Sequence, residues 1–463
     1  MAVRRSGNEE SALIDDLSEY LSKAGSKIGK LADVTRIVQK AIDRNSQSGV
    51  WTIIPKGKYM TTAPFILKDG TRILMHKDAK LFRYHDGNMF QNGSTGDVLG
   101  QSNITVLGGY LDMRGNDNKE DGSGFAFGYA KNIWVRDTNI YNVYYSHCME
   151  ICAIDTALVE RVGCYGYVID AGGTRDYVEA IQIERGTLSS FPYFGTGDNS
   201  ICKDIQIHDC RFGASLDAPS WPVAIGSHQT QDTLSADGVE IKGCKSVNEL
   251  TYACIVGRGY KNVSLKRNTM TGKRGILLYD FLANKGNVSM VKNNIVSTVG
   301  EAVRLEFIDH VSMDHNILKG QTNAVNIKGS NVKVSATNDI ESVTSDAFVI
   351  WGSSVNVKVE GVTIRDAGRY AFNISESSKA IKILNNFING VKGVAVFNVD
   401  GPTTKNISIK GNHIESATNI VNVIIAKSTV DRLYFNDNVY PASIASPIAN
   451  SATNSDVTGN KTF

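Results

Sequence analysis

Glutamate, glutamine and histidine gather in three short apolar stretches between residues 147 and 229. These are His147-Cys-Met-Glu150, Glu179-Ala-Ile-Gln-Ile-Glu184 and Ala224-Ile-Gly-Ser-His228-Gln229, where comparable stretches elsewhere carry Asn, Ser or Lys. If the apolar residues point into a core, alternation along a strand sends Glu150, Gln182 and Gly226 into one outward column. Cys152, Glu184 and His228 fall in the next. Neighbouring strands lie ~4.8 Å apart and alternate residues roughly 7 Å apart, which sets Glu184 beside His228 and Glu150 about 8 Å from Glu184 on the diagonal. Two carboxylates so placed fit the ~6.5–9.5 Å gap in which an acid and a base flank a water in inverting glycoside hydrolysis. A histidine beside them can shuttle a proton or hold an anionic group.

His147, Glu179, Asp198 and Gln229 lie close enough in sequence to join the rim of such a site as substrate contacts, and Gln182 stands within it. Tyr165, Tyr167 and Trp221, with Phe191, Tyr193 and Phe194, are candidate sugar-stacking walls. A lone outward Glu is usually just solvated, and loop aromatics often only cover a coil. Three adjacent enriched strands beside the longest loops, residues 165–178 and 186–201, are what mark the cluster as a site. Arg304 is a further candidate contact, although Glu306 beside it suits a surface ion pair. Glu150, Glu179, Glu184 and Asp198 could hold a divalent cation such as calcium if the loops converge. No other cofactor is indicated.

These residues need many short strands to position them, and the chain supplies them. Gly is abundant at 43 and Pro scarce at 8, which suits strands joined by tight turns. Apolar pairs at alternate positions recur behind a polar residue in Asn262-Val-Ser-Leu265, Asn287-Val-Ser-Met290, His310-Val-Ser-Met313, Asn331-Val-Lys-Val334, Asn356-Val-Lys-Val359 and Asn406-Ile-Ser-Ile409. The period of roughly 21 to 26 residues is that of a coil with three strands per turn. A few residues on comes Cys or Asn: Cys164, Cys210 and Cys244, then Asn268, Asn293, Asn316, Asn386, Asn412 and Asn438. An amide at one turn of every coil can stack rung on rung and tolerate a left-handed bend. Asn-x-Ser/Thr matches such as Asn262 and Asn406 follow from this repeat and are not read as glycosylation sites.

A helix is expected over residues 8–24, from Leu13, Ile14, Leu17, Tyr20 and Leu21, and a second from Asp33 to about Arg44. The organisation expected is a helical tether (1–30), a cap with the first coils (31–100), and a parallel β-helix (101–463). Several classes are set aside. A formal net charge of +2 provides no field for nucleic acid or an anionic membrane. No stretch approaches the ~20 apolar residues of a membrane span, and Met1-Ala-Val-Arg-Arg-Ser lacks the apolar core of a secretion signal. The seven cysteines form no CxxC, against a zinc site or a disulfide framework.

The segment Asp33–Tyr59, a helix running into Val50-Trp-Thr-Ile-Ile-Pro-Lys-Gly-Lys-Tyr59, and the repeats over about residues 100–440 resemble the pectate-lyase-like right-handed parallel β-helices. That superfamily includes pectate lyases, polygalacturonases and phage tailspike depolymerases. The likeness is greatest to tailspike and appendage proteins, some of which degrade wall teichoic acid. It implies an all-β single-stranded right-handed parallel β-helix with a short N-terminal capping helix. It further implies a virion-borne homotrimer acting on a bacterial cell-surface glycopolymer. The polygalacturonase series of Asn-Thr-Asp, Asp-Asp and Gly-His-Gly is not found, and Gly226-Ser-His228 is a partial echo, so no catalytic residues carry over. The expected function is acid–base hydrolysis of a surface polysaccharide or teichoic acid by Glu150 and Glu184 with His228. A polysaccharide lyase and a non-catalytic receptor-binding fibre are the alternatives.

Overall fold

In the computed structural model, residues 14–17, 31–173, 175, 177–227, 234–279, 286–335, 337–418, 420–444 and 447–463 are described. They form a nearly all-β parallel solenoid of about 16 turns with one short N-terminal helix. Within each unit successive rungs pair in parallel, as in Trp51–Ile54 on Arg72–Met75.

Two compact units are distinguished. The first comprises Met1–Gln229, Ser235–Glu240 and Cys244–Thr251, and the second Thr230–Leu234, Ile241–Gly243 and Tyr252–Phe463. The first unit opens with helix α1 (Thr35–Asn45), which buries Val38, Ala41 and Ile42 as its spacing requires. Ahead of it, the helix expected over 8–24 is not found where the chain is described. Ile14–Asp16 is a strand, paired in parallel with Trp51–Ile53. The unpaired N–H and C=O groups along that first rung outweigh a weak helical period.

Four strands of the first unit carry the candidate site: β1 (Phe125–Arg136), β2 (Met149–Glu160), β3 (Glu179–Glu184) and β4 (Val223–Gly226). Apolar rings fill the coil beneath them. Phe65, Phe90 and Phe125 follow one another with centroids 5.1 Å apart at each step.

In the second unit, β5 (Val303–Asp309), β6 (Val325–Ser330) and β7 (Phe348–Ile350) follow the same plan. The asparagine repeat is a buried ladder. Asn268 Nδ2 donates to Asn293 Oδ1 at 2.9 Å, and Asn293 to Asn316 and Asn316 to Asn338 in the same way. A second run links Asn386, Asn412, Asn438 and Asn460. The left-handed bend falls one residue earlier than expected, on Arg267 (φ 55°), Lys292 (φ 57°) and His315 (φ 53°), which turns the following amide inward. In the first unit Cys210 and Cys244 hold the ladder position, their thiols donating to Val159 and Ile207 carbonyls. Cys164 does not, because it pairs with Phe212, two residues past the ladder. All seven cysteines are buried. The coil also persists beyond Tyr440, to Lys461–Thr462.

Candidate functional site

The strand register matches the columns expected. Glu150 pairs with Gln182 and Gln182 with Gly226, while Cys152 pairs with Glu184. Glu150 and Glu184 are therefore diagonal neighbours, about 8 Å apart by strand geometry. The expected open groove is absent. Every residue of β3 is buried, and Glu150 and Glu184 are only 2% and 0% exposed.

The cover is the loop after β3. Its Phe191 is wholly buried against Gly128 of β1, where a Cβ would come within 2.4 Å of the ring. Phe191 meets Tyr129, Tyr193 and Phe194 edge-on, with centroids 4.9–6.2 Å away. Backbone bonds pin the loop: Gly195 N–H donates to Asp97 O at 2.8 Å and Gly197 N–H to the Tyr129 hydroxyl at 3.0 Å.

Beneath this cover each carboxylate has protein donors. Glu150 accepts a short hydrogen bond from the Ser123 hydroxyl and one of 2.9 Å from the Tyr193 hydroxyl. Since the Ser123 proton is committed to Glu150, the Ser146 hydroxyl, 2.9 Å away, donates to Ser123. Glu184 accepts from the Ser235 hydroxyl at 2.8 Å and the Arg185 N–H at 3.2 Å. Burial, then the charge and hydrogen bond of Glu150, hold the Tyr193 phenol well above its ordinary pKa, so it remains a donor. Cys152 is also pushed up, first by burial and then by the charges of Glu150, Cys202 and Glu184.

His147 and Glu179 form a second buried pair. The imidazole Nδ1 lies 2.7 Å from the Glu179 carbonyl oxygen, to which it donates, and 4.0 Å from a Glu179 carboxylate oxygen. With Arg185 at 3% exposure, His147, Glu150, Glu179, Glu184 and Arg185 make five ionisable side chains, none more than 8% exposed, within adjacent rungs. Arg175, from the 165–178 loop, reaches Asp121 at 3.6 Å and lies over Tyr145 at the rim.

The other candidates scatter. Asp198 accepts the Ser200 N–H at 2.9 Å and lines a separate open hollow of about 390 Å³ with Tyr129, Lys131, Asp155 and Lys203. The ring of Tyr165 faces Tyr141, which stacks on Tyr110 at centroid spacings of 5.0 and 4.2 Å. A face engaged in that ladder is not open to a sugar. Tyr167 is buried, its hydroxyl on the Arg175 carbonyl, and packs on a wholly buried Trp221 at 5.2 Å. Both are packing residues in this state, because the long loops fold onto the coil. Arg304, in the second unit, is bound to Glu306 at 2.6 Å and to Glu301 at 3.1 Å, as the ion-pair reading has it. His228 and Gln229 lie outside the described residues. Among the described residues no three His, Cys, Asp or Glu side chains gather as a metal site.

Sequence reasoning overlooked Ser123, Ser146 and Ser235, the donors to the carboxylates. Their signal was available in part. Gly122-Ser-Gly124 immediately precedes the strand that pairs with β2, which brings a serine alongside Glu150.

Neither a scan against protein-family models nor a search of curated proteins finds a significant match. Solved structures do match. PfbA, a surface adhesin of Streptococcus pneumoniae, aligns over 84% of this chain and 91% of its own, at 21% identity and a TM-score of 0.61. An N-terminal fragment of gene product 12 of bacteriophage phi29 aligns over 90% and 82%, at 12% identity and a TM-score of 0.56. The likeness is one of fold, and the chain is a parallel β-helix similar in fold to these two proteins.

Proposed function

We propose that the chain engages a bacterial surface glycopolymer and shortens it by acid–base hydrolysis between Glu150 and Glu184, with the loop over residues 186–201 as the element that admits the polymer. The observation that carries this is the concentration of five buried ionisable side chains on adjacent rungs. Burying a carboxylate is costly unless it is hydrogen-bonded, and most rungs of the second unit stack on apolar residues and neutral asparagines instead. Such clusters are characteristic of functional sites. The diagonal spacing suits an inverting mechanism. The occurrence of this fold in a surface adhesin and a bacteriophage protein supports a role at a cell surface. Carriage on a virion and trimeric assembly belong to the same proposal, as does help from His228.

A second reading is specifically favoured by the hydrogen bonding. Both carboxylates already accept protein donors and are shielded from solvent, as suits structural groups in a protein that binds a glycan elsewhere on its surface without cutting it. Incubation with a panel of cell-wall glycopolymers, followed by polymer sizing, separates the two. Shortening supports hydrolysis, and an unsaturated, ultraviolet-absorbing product would instead mean elimination. Tight binding at full length would overturn the catalytic reading and leave the adhesive one.

A further inference from the structure

In the second unit, one outward column of side chains changes character partway along the coil. Its register runs Ser289, Ser312, Lys333, Lys358, Lys382, Ser408 and Tyr434, each directly opposite the next. Lys333 and Lys358 are the lysines of the two Asn-Val-Lys-Val repeats, and Lys382 holds the same place one rung on. Val334, Val359 and Ile383, the next residue in each case, are wholly buried, so alternation along the strand turns the lysines outward. Lys379 and Lys405 stand opposite one another at the starts of the strands Lys379–Leu384 and Lys405–Lys410.

Neighbouring rungs lie ~4.8 Å apart, so these are like charges set directly opposite one another, an arrangement that costs stability. The coil does not require it, because serine fills the same column on either side, at Ser312 and Ser408. On another face of the same stretch of coil the charges alternate in sign instead. Lys319 pairs with Glu341 opposite it at 2.5 Å, and Arg365 reaches Asp339 at 3.0 Å. In the lysine column, Lys358 is drawn to Glu360 on its own strand at 2.6 Å. Among the described residues Lys333, Lys379, Lys382 and Lys405 have no carboxylate within ion-pair distance. Such a row of uncompensated ammoniums on flexible stems is complementary to a chain that carries anions at short, regular intervals.

We propose that Lys333, Lys358 and Lys382, with Lys379 and Lys405 beside them, form a docking track for an anionic glycopolymer that lies along the coil, its successive carboxylates or phosphates meeting successive ammoniums. A lone anion would engage one rung and a neutral glycan none, so the track selects polymers by repeated charge. The proposal rests on the reading that the chain engages a glycopolymer, and it adds the charge of that polymer and a place where it is held.

The test is calorimetric titration of the full chain with an oligouronate, a poly(glycerol phosphate), an uncharged dextran oligomer and a single-stranded oligodeoxynucleotide, at low and moderate salt. The wild type is expected to bind at least one charged glycan tenfold or more tighter than dextran and the oligodeoxynucleotide. Which one it prefers distinguishes carboxylate from phosphate. Lys333→Gln, Lys358→Gln and Lys382→Gln combined are expected to weaken that ligand at least tenfold and to flatten its salt dependence. The melting temperature of this triple variant should hold or rise, because the repulsion is relieved, which separates a lost track from a lost fold. The same three positions changed to Arg should keep most of the affinity, and Lys319→Gln, on the face of paired charges, should leave it unchanged. Equal binding of the oligodeoxynucleotide would make the column a general polyanion surface and overturn the proposal. Charged-glycan affinity unchanged in the triple Gln variant would overturn the track while leaving glycan engagement intact. Failure of the wild type to bind any glycan of the panel would overturn both.

Discussion

At the scale of single residues, Glu184 and Tyr193 are the informative positions. Replacing Glu184 with Gln keeps an oxygen to accept from Ser235 and the Arg185 N–H but buries a new amide donor, so stability should fall by about 1–3 kcal/mol. Polymer cleavage should nevertheless fall by about a hundredfold or more, the usual worth of a general acid or base. Thermal melting read beside a polymer-sizing assay checks both halves. Tyr193 makes a pH prediction. Its phenol pKa is raised on folding, so its contribution to stability is complete below the ordinary tyrosine range near 10 and is lost as pH rises through the higher folded value. Stability measured in urea should therefore decline in strong alkali, and Tyr193→Phe should remove part of that decline. Much of this neighbourhood was legible in the sequence. The columns of Glu150 with Gln182 and of Cys152 with Glu184 follow from period-two alternation alone. Their burial does not, because it depends on where a 16-residue loop folds, and nothing in local spacing announces that Phe191 will seat against Gly128.

Two elements decide the behaviour of the site and of the coil. The loop over residues 186–201 is held chiefly by Phe191, so Phe191→Ala should cost about 3–5 kcal/mol of local packing. Limited proteolysis should then cut within that loop while the wild type resists. Cleavage at the wild-type rate would show that the ring is not the anchor. The asparagine ladder behaves differently, since each amide serves the rungs on both sides. Asn293→Ala removes its bond to Asn316 Oδ1 and strands the donors of Asn268, which should cost roughly 2–4 kcal/mol. A shift in the urea midpoint measures it, and a change below about 0.5 kcal/mol would contradict a structural role. The ladder was readable because it repeats, whereas the opening segment was not. Ile14 and Leu17 satisfy a helical period as well as a strand, and only the unpaired edge at Trp51–Ile53 decides between them.

For the whole molecule, the sequence repeat and the fold agree over most of the described coil, with Cys164 and the opening strand as exceptions, because successive rungs apply the same rule of apolar residues inward and a left-handed residue at the corner. Function is less directly encoded. A solenoid's outer surface is free to vary, so its meaning rests on side chains brought together from distant rungs and on loops that cover or uncover them. The buried carboxylate cluster lies on strands of the first unit. The most direct test of the central claim is the size distribution of purified bacterial wall and capsular glycopolymers after incubation with the wild-type chain and with Glu184→Gln. The wild type should shorten at least one polymer, and the variant should leave it at full length. Equal shortening by both would contradict the assignment of Glu184, and full-length polymer in every reaction would contradict hydrolysis itself.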